Sequence, residues 1–245
     1  MESFYVSLAF GCAAAAANVA GGLLITLKRR WDEVLLKYFL ALGIGFMLGA
    51  AFLGMVPESV RLTDHAPLLI LGGYLLIHFA EHTLAPHFHF GEETHVEAVL
   101  APSVSLFALT GLLVHTFFDG VSIASGFHVS TELGVLIFVA VALHKIPEGF
   151  TVGSIMLASG RSRTIAVASS VALAFSTIFG VLFASYLEGL LGYRLAISAG
   201  VMIYVAASDL MPEVNREKGV LMALMVFVGV LLFYLTEQLL SGLGH

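Results

Sequence analysis

Residues 109–153 read LTGLLVHTFFDGVSIASGFHVSTELGVLIFVAVALHKIPEGFTVG. Apart from Asp119, Glu132, Lys145 and Glu148 this stretch is uncharged. The polar turn Ser130-Thr131-Glu132 divides it between two apolar runs, 99–127 and 132–158. Each run exceeds the ~20 residues that cross ~30 Å of hydrocarbon, and both are far longer than a barrel strand. In lipid the backbone must satisfy its own hydrogen bonds, so runs of this length are helices.

Six further runs qualify in the same way: 4–27, 35–56, 66–84, 163–187, 191–211 and 217–240. The expected fold is all-α, a polytopic membrane protein with eight transmembrane helices in a single domain, 1–245. Short polar segments join them: Lys28-Arg29-Arg30, Asp64-His65-Ala66-Pro67, Arg161-Ser162-Arg163 and Asn215-Arg216-Glu217-Lys218. Composition agrees. The chain is 59% hydrophobic and 11% charged, with mean hydropathy +0.98, whereas a soluble domain needs about 25% charged residues to coat its surface. The lipid bilayer is therefore the first partner. A net charge of −6 without a basic patch gives no reason to expect nucleic acid. The single cysteine, Cys12, excludes an internal disulfide framework and a Cys-rich zinc module. Met-Glu-Ser-Phe lacks a positive n-region and the first apolar run reaches Leu27, so this segment is expected to be a span rather than a cleaved signal.

Basic residues set the expected orientation. If the N-terminus is outside, Lys28, Arg29, Arg30, Lys37, Arg161, Arg163, Arg216 and Lys218 fall inside, and Arg61 and Arg194 fall outside. The positive-inside rule then puts both termini on the non-cytosolic side of the cell membrane. The halves also repeat. Gly45 to Glu58 and Gly200 to Glu213 both end in Pro-Glu and align Ala51 with Ala206, and an acid follows about 24 residues later, Glu81 and then Glu237. The two segments are five spans apart and run in opposite directions, which suggests three-helix units, 1–84 and 163–240, in inverted orientation around a central pair, 99–158.

Polar residues in mid-span are costly and point to function. His115 and Asp119 share one helix face, as do His144 and Glu148, each pair four residues apart. Both histidines lie about 18 Å from the shared outer turn, near the midplane. Two imidazoles and two carboxylates at matched depth form a donor set for a borderline divalent metal such as Zn²⁺. Fe²⁺ and Mn²⁺ accept the same donors. Pro147, inside the second run, frees a carbonyl near Leu143. The bland alternative is a pair of hydrogen-bonded contacts between helices.

The motifs His115-x-x-x-Asp119-Gly120 and His144-x-Ile146-Pro147-Glu148-Gly149 resemble the paired signatures of the ZIP (Zrt/Irt-like) metal-transporter family. That resemblance implies a 3+2+3 inverted-repeat fold and uptake of divalent metal, zinc first and iron, manganese or cadmium next, into the cytosol. It also implies a homodimer and the ligands His115, Asp119, His144 and Glu148. The metal would be cargo, with no cofactor. Many relatives hold a second metal with an Asn after the first His and an acid after the second; Thr116 and Lys145 stand there instead. An ammonium has no lone pair, so Lys145 is expected to act as a charge substitute for a second metal. The resemblance would also put a ligand where Gly54 stands, next to Met55. Glu58 at an outer mouth, with Glu81 and Asp209 near the inner ends of their spans, are candidate pathway residues. The inner segment 85–98, with His87, His89 and His95, offers loose metal binding or a plain polar loop.

Two other uses of such a site were weighed. An intramembrane zinc hydrolase needs an open coordination position and a general base, and HExxH is missing. A metal exporter of the cation-diffusion type also uses His-x-x-x-Asp pairs but has six spans. Cysteine labelling in intact cells checks the orientation. A cysteine added after residue 245, on a Cys12→Ser background, is expected to react without permeabilisation; reaction only after permeabilisation reverses the topology.

Overall fold

The structure, a computed structural model, describes residues 2–27, 33–84, 102–216 and 219–243. The His-rich segment 85–98, Lys28-Arg29-Arg30 and Lys218 lie outside them. Among the described residues every regular element is helical. In chain order these are α1 (Glu2–Leu27), α2 (Glu33–Gly49, a π-helical turn Ala50–Met55 and Val56–Leu62), α3 (Ala66–Leu84), α4 (Pro102–Val129), α5 (Thr131–Ala158), α6 (Arg163–Tyr186), α7 (Leu191–Tyr204, a π-helical turn Val205–Leu210 and Met211–Asn215) and α8 (Val220–Leu243). Seven are long and apolar enough to span a membrane. The eighth, α3, has nineteen residues but carries His78, Glu81 and His82 near its end. Large apolar side chains such as Leu68, Phe175 and Phe227 are exposed, as lipid contact requires.

Most sequence-expected ends fall within a few residues of the observed ones, and two do not. Spans 35–56 and 191–211 continue past Pro57 and Pro212 to Leu62 and Asn215. A proline offers no N–H and its ring crowds the carbonyl four residues back. Here a wide turn comes just before each proline and absorbs that conflict. The Val56 N–H reaches five residues back to the Ala51 carbonyl, and the Met211 N–H reaches the Ala206 carbonyl in the same way. Insertions of this kind are rare and cluster at functional places. Ala51 and Ala206 are the pair that the sequence repeat aligned.

The packing repeats with the sequence. Exchanging α1 with α6, α2 with α7, α3 with α8 and α4 with α5 carries each major contact onto another: α1–α5 onto α6–α4, α2–α8 onto α7–α3, α2–α5 onto α7–α4, and α5–α6 onto α4–α1. Glycines set the register. A Cβ on Gly45 would overlap the Val226 carbonyl and one on Gly229 the Leu42 carbonyl; across the repeat, Gly200 meets the Ile70 carbonyl and Gly73 the Ile197 carbonyl. The α1–α5 crossing uses Gly21 against Ile146 and Gly149 against Asn18, and α4–α6 mirrors it with Gly180 against Phe117 and Gly120 against Thr177. Lipid supplies no hydrophobic drive between helices, so close backbone approach at small residues provides the attraction. The α4–α5 pair is joined by one residue, Ser130, whose hydroxyl accepts the Leu133 N–H at 3.1 Å and caps α5. This tight link fixes the relative depth of His115 and His144.

The glycine crossings give a controlled prediction. Gly200→Val drives a side chain into the α3 backbone and is expected to lower the thermal unfolding midpoint by about 5 °C in detergent. Gly72→Val, where nothing lies within 4 Å of the added carbon, is expected to leave it within about 1 °C. Equal midpoints for the two variants count against the crossing.

Candidate metal site

His115, Asp119, His144 and Glu148 converge where α4 and α5 cross. All four are buried, and one ligand atom from each lies within 4.8 Å of the others. The imidazole rings are 5.5 Å apart between centroids, as expected from their matched depth. His144 Nδ1 lies 3.0 Å from the Ala140 carbonyl. A carbonyl only accepts, so in the neutral ring Nδ1 carries the proton and Nε2 the lone pair. That Nε2 lies 3.4 Å from Asp119 Oδ2 in hydrogen-bond geometry, so only one of the two ring nitrogens can donate while the imidazole is neutral. His115 Nε2 is 3.2 Å from the same oxygen, an ion-pair contact without hydrogen-bond geometry. Lone pairs directed at a shared buried gap are what a metal cation satisfies.

Lys145 completes the centre. Its ammonium is fully buried and bridges the two carboxylates, 2.6 Å from Asp119 Oδ2 and 2.7 Å from Glu148 Oε2. It does not snorkel. With neutral imidazoles the cluster has a formal charge of minus one, which a divalent ion turns to plus one. Thr116 contributes no donor here: its hydroxyl hydrogen-bonds the Leu112 carbonyl on its own helix and lies 3.2 Å from that of Leu113. The Leu143 carbonyl beside Pro147 does not line the centre either; it packs on α2, 3.7 Å from where a Gly43 Cβ would be. Met55 is fully buried in the apolar core.

One further residue reaches the centre. Asn18 of α1 is fully buried and its Nδ2 donates to Glu148 Oε2 at 3.4 Å. Asn18 was not among the sequence-expected site residues, although an amide in the middle of an apolar run is itself a signal.

Access differs on the two sides. Towards the α4–α5 turn, Ala51, Met55, Ile123, Phe127, Leu133, Leu136 and Ile137 are buried in one continuous apolar cluster. Towards the other face, a cavity of about 270 Å³ is lined by Pro147, Phe150, Thr151, Ser154, Lys37 and Glu213, among others. Its walls include the Lys37–Glu213 pair, 3.8 Å apart.

The other candidates stand apart from the centre. Glu58 lies one turn before the end of α2 rather than at it, and Arg61 grips it, with Nε 2.9 Å from Oε2 and Nη2 2.5 Å from Oε1. Glu81 and Asp209 are close enough to interact electrostatically, and the Tyr204 hydroxyl donates to Glu81 at 2.9 Å. Asp209 is buried within the π turn of α7.

Comparison with known proteins follows the same lines. The family profile described as ZIP zinc transporter matches residues 92–237, more than half of the chain and all of the α4–α5 pair. Zinc transporter ZIP9 of Xenopus tropicalis is 27% identical over 246 aligned residues, covering 78% of this chain and 80% of the relative. Zinc transporter ZIP9-A of Xenopus laevis is 26% identical over the same shares. Zinc transporter SLC39A7 of Mus musculus is 31% identical over 130 residues, 49% of this chain and 27% of that protein. With its membrane-spanning helices and buried His/carboxylate cluster, the chain is a multi-pass transporter rather than an enzyme, and it belongs to the ZIP zinc transporter family.

Proposed function

We propose that this protein imports a divalent transition metal, zinc first, into the cytosol through one site built from His115, Asp119, His144 and Glu148. Iron, manganese and cadmium are the competing cargoes. The observation that carries the reading is the buried four-donor cluster, in which His115 Nε2 and Glu148 Oε1 make no hydrogen bond. A donor set of two nitrogens and two oxygens suits tetrahedral zinc, and the relatives named above are zinc transporters.

Direction rests on the asymmetry of access. The cavity below Glu148 opens on the face that carries Lys37, Arg161, Arg163 and Arg216, which the positive-inside rule places in the cytosol. Both termini then lie on the non-cytosolic side. The chain is one transporter domain, its three-helix units 1–84 and 163–240 flanking the site helices in 99–158, and its membrane form is a homodimer. On the cytosolic side the Glu81–Asp209 pair is a receiving point for the ion. Glu58 is a weaker attractor at the outer mouth, because Arg61 offsets its charge.

In the empty carrier Lys145 neutralises one carboxylate and bonds to both. Without it two carboxylates would face each other in a dry site, at a cost of several kcal/mol. Lys145 thus substitutes for a second metal, and the site holds one ion.

Two predictions follow from these roles. His144→Ala and Glu148→Ala are each expected to cut radiozinc uptake in proteoliposomes at least tenfold while keeping insertion and elution volume unchanged. Wild-type rates in both variants return the pairs to a structural role. Metal content measured on purified protein is expected to be one zinc per central site, rising towards two in Lys145→Glu, whereas Lys145→Ala slows turnover more than it weakens binding. Anomalous density for two well-occupied metals within ~5 Å in the unmodified protein overturns the single-metal assignment.

A further inference from the structure

We propose that Asn18 determines which oxygen of Glu148 meets the metal, and so sets the coordination number and metal selectivity of the site. The proposal rests on the four-ligand reading above.

The two oxygens of Glu148 are treated unequally. Oε2 receives both the Lys145 ammonium, at 2.7 Å, and the Asn18 amide, at 3.4 Å. Oε1 is buried and receives no hydrogen bond. The oxygen left for a metal is therefore Oε1, and the carboxylate binds through one atom. With two imidazole nitrogens and one Asp119 oxygen this makes four donors, the number zinc takes in a tetrahedral site. A carboxylate free to turn would present both oxygens and raise the count to five, which favours cations of higher coordination such as Mn²⁺.

Of the two donors, Asn18 is the one that fixes the plane. Lys145 sits three residues before Glu148 on the same helix and is shared with Asp119 of α4 at 2.6 Å, so it ties the carboxylate only to the α4–α5 pair. Asn18 belongs to α1. Its backbone is locked against α5 at Gly149, where a Cβ would overlap the Asn18 carbonyl and lie 2.7 Å from its Oδ1. The amide is thus a fixed reference outside α5. Its bond is long, suited to orienting the carboxylate more than to holding it.

The pseudo-symmetric position shows that packing alone does not require an amide. Thr177 on α6 occupies the place equivalent to Asn18, behind Asp119-Gly120 as Asn18 lies behind Glu148-Gly149. Its hydroxyl bonds to the Leu173 carbonyl of its own helix at 3.3 Å. The same glycine crossing therefore accommodates a threonine, and the donor to the carboxylate is present on one side only. Asn18 is a positioning residue, acting on the metal through Glu148.

The test uses the purified protein loaded with Co²⁺ and the variants Asn18→Thr, which copies the α6 crossing, and Asn18→Leu, which keeps the heavy-atom branching and removes the donor. Wild type is expected to show the intense visible bands of four-coordinate Co²⁺. The variants are expected to bind one Co²⁺ with the weak bands of higher coordination, and their preference for Zn²⁺ over Mn²⁺ is expected to fall roughly tenfold. Folded variants with an unchanged Co²⁺ spectrum and unchanged preference overturn the proposal. X-ray absorption at the zinc edge supplies a measurement that needs no variant: four ligands at ~2.0–2.2 Å in the unmodified protein support it, and five or more overturn it. Failure of the underlying reading looks different, since Co²⁺ would then either not bind to wild type or give a spectrum that His144→Ala leaves unchanged.

Discussion

The contact on which the structure depends is the Lys145 ammonium held between Asp119 and Glu148. Three ionised groups sit where water is excluded, and leaving any one unpaired costs several kcal/mol in such surroundings. That cost constrains everything near it. The carboxylates come from different helices, so α4 and α5 must meet at matched depth, which the one-residue link at Ser130 enforces. The stem of Lys145 must not reach water, so the apolar cluster above the centre is closed. The same bridge keeps two carboxylates close enough to share a cation, and under the proposed function a divalent ion exploits that proximity.

Helix association around this centre has a different origin. Apolar side chains gain nothing by leaving lipid for each other, so the crossings use glycines that let one backbone touch the next. Two crossing types occur, each twice: Gly45–Gly229 with Gly73–Gly200, and Gly21–Gly149 with Gly120–Gly180. In the second type each carboxylate is followed directly by a crossing glycine. The sequences Asp119-Gly120 and Glu148-Gly149 therefore do two jobs, since the acid points into the site while its neighbour brings in α6 or α1. That is how Asn18, remote in the chain, comes within reach of Glu148.

Much of this was legible in the sequence. The His-x-x-x-acid spacing and the short turn between spans placed His115 and His144 at one level, because helix rise is constant and lipid fixes the length of a span. Pro57 and Pro212 were visible, but their effect was not. A proline in a long apolar run argues for a helix end on local grounds, whereas here the helix continues through a π turn, which depends on packing that single-residue propensities do not encode. Asn18 escaped for a related reason. One amide in a span is ambiguous until the helix crossing shows which partner it meets. Glu81 and Asp209 were recognised as acids near the same face; their proximity depends on α3 and α7 packing through Gly73 and Gly200.

The repeat equates backbones but not side chains, and the difference bears on direction. Asp209 and Gly54 occupy equivalent places in the two π turns, Tyr204 is equivalent to Gly49, and Glu81 to Glu237. On the α3–α7 side these positions hold hydrogen-bonded polar groups. On the α2–α8 side Gly49 instead receives Phe233, which is fully buried with its ring 5.3 Å from that of Phe46. An inverted repeat provides two access states by exchanging the conformations of its halves. If the halves were chemically identical, those states would have equal energy. Here the α2–α8 half packs Phe233 on Gly49, while the α3–α7 half buries Tyr204 and Asp209 at the equivalent places. The residues towards the α4–α5 turn are apolar and buried, and the cavity lies on the face of Lys37 and Glu213. Under the proposed function, opening the other side must break the Phe233 contacts.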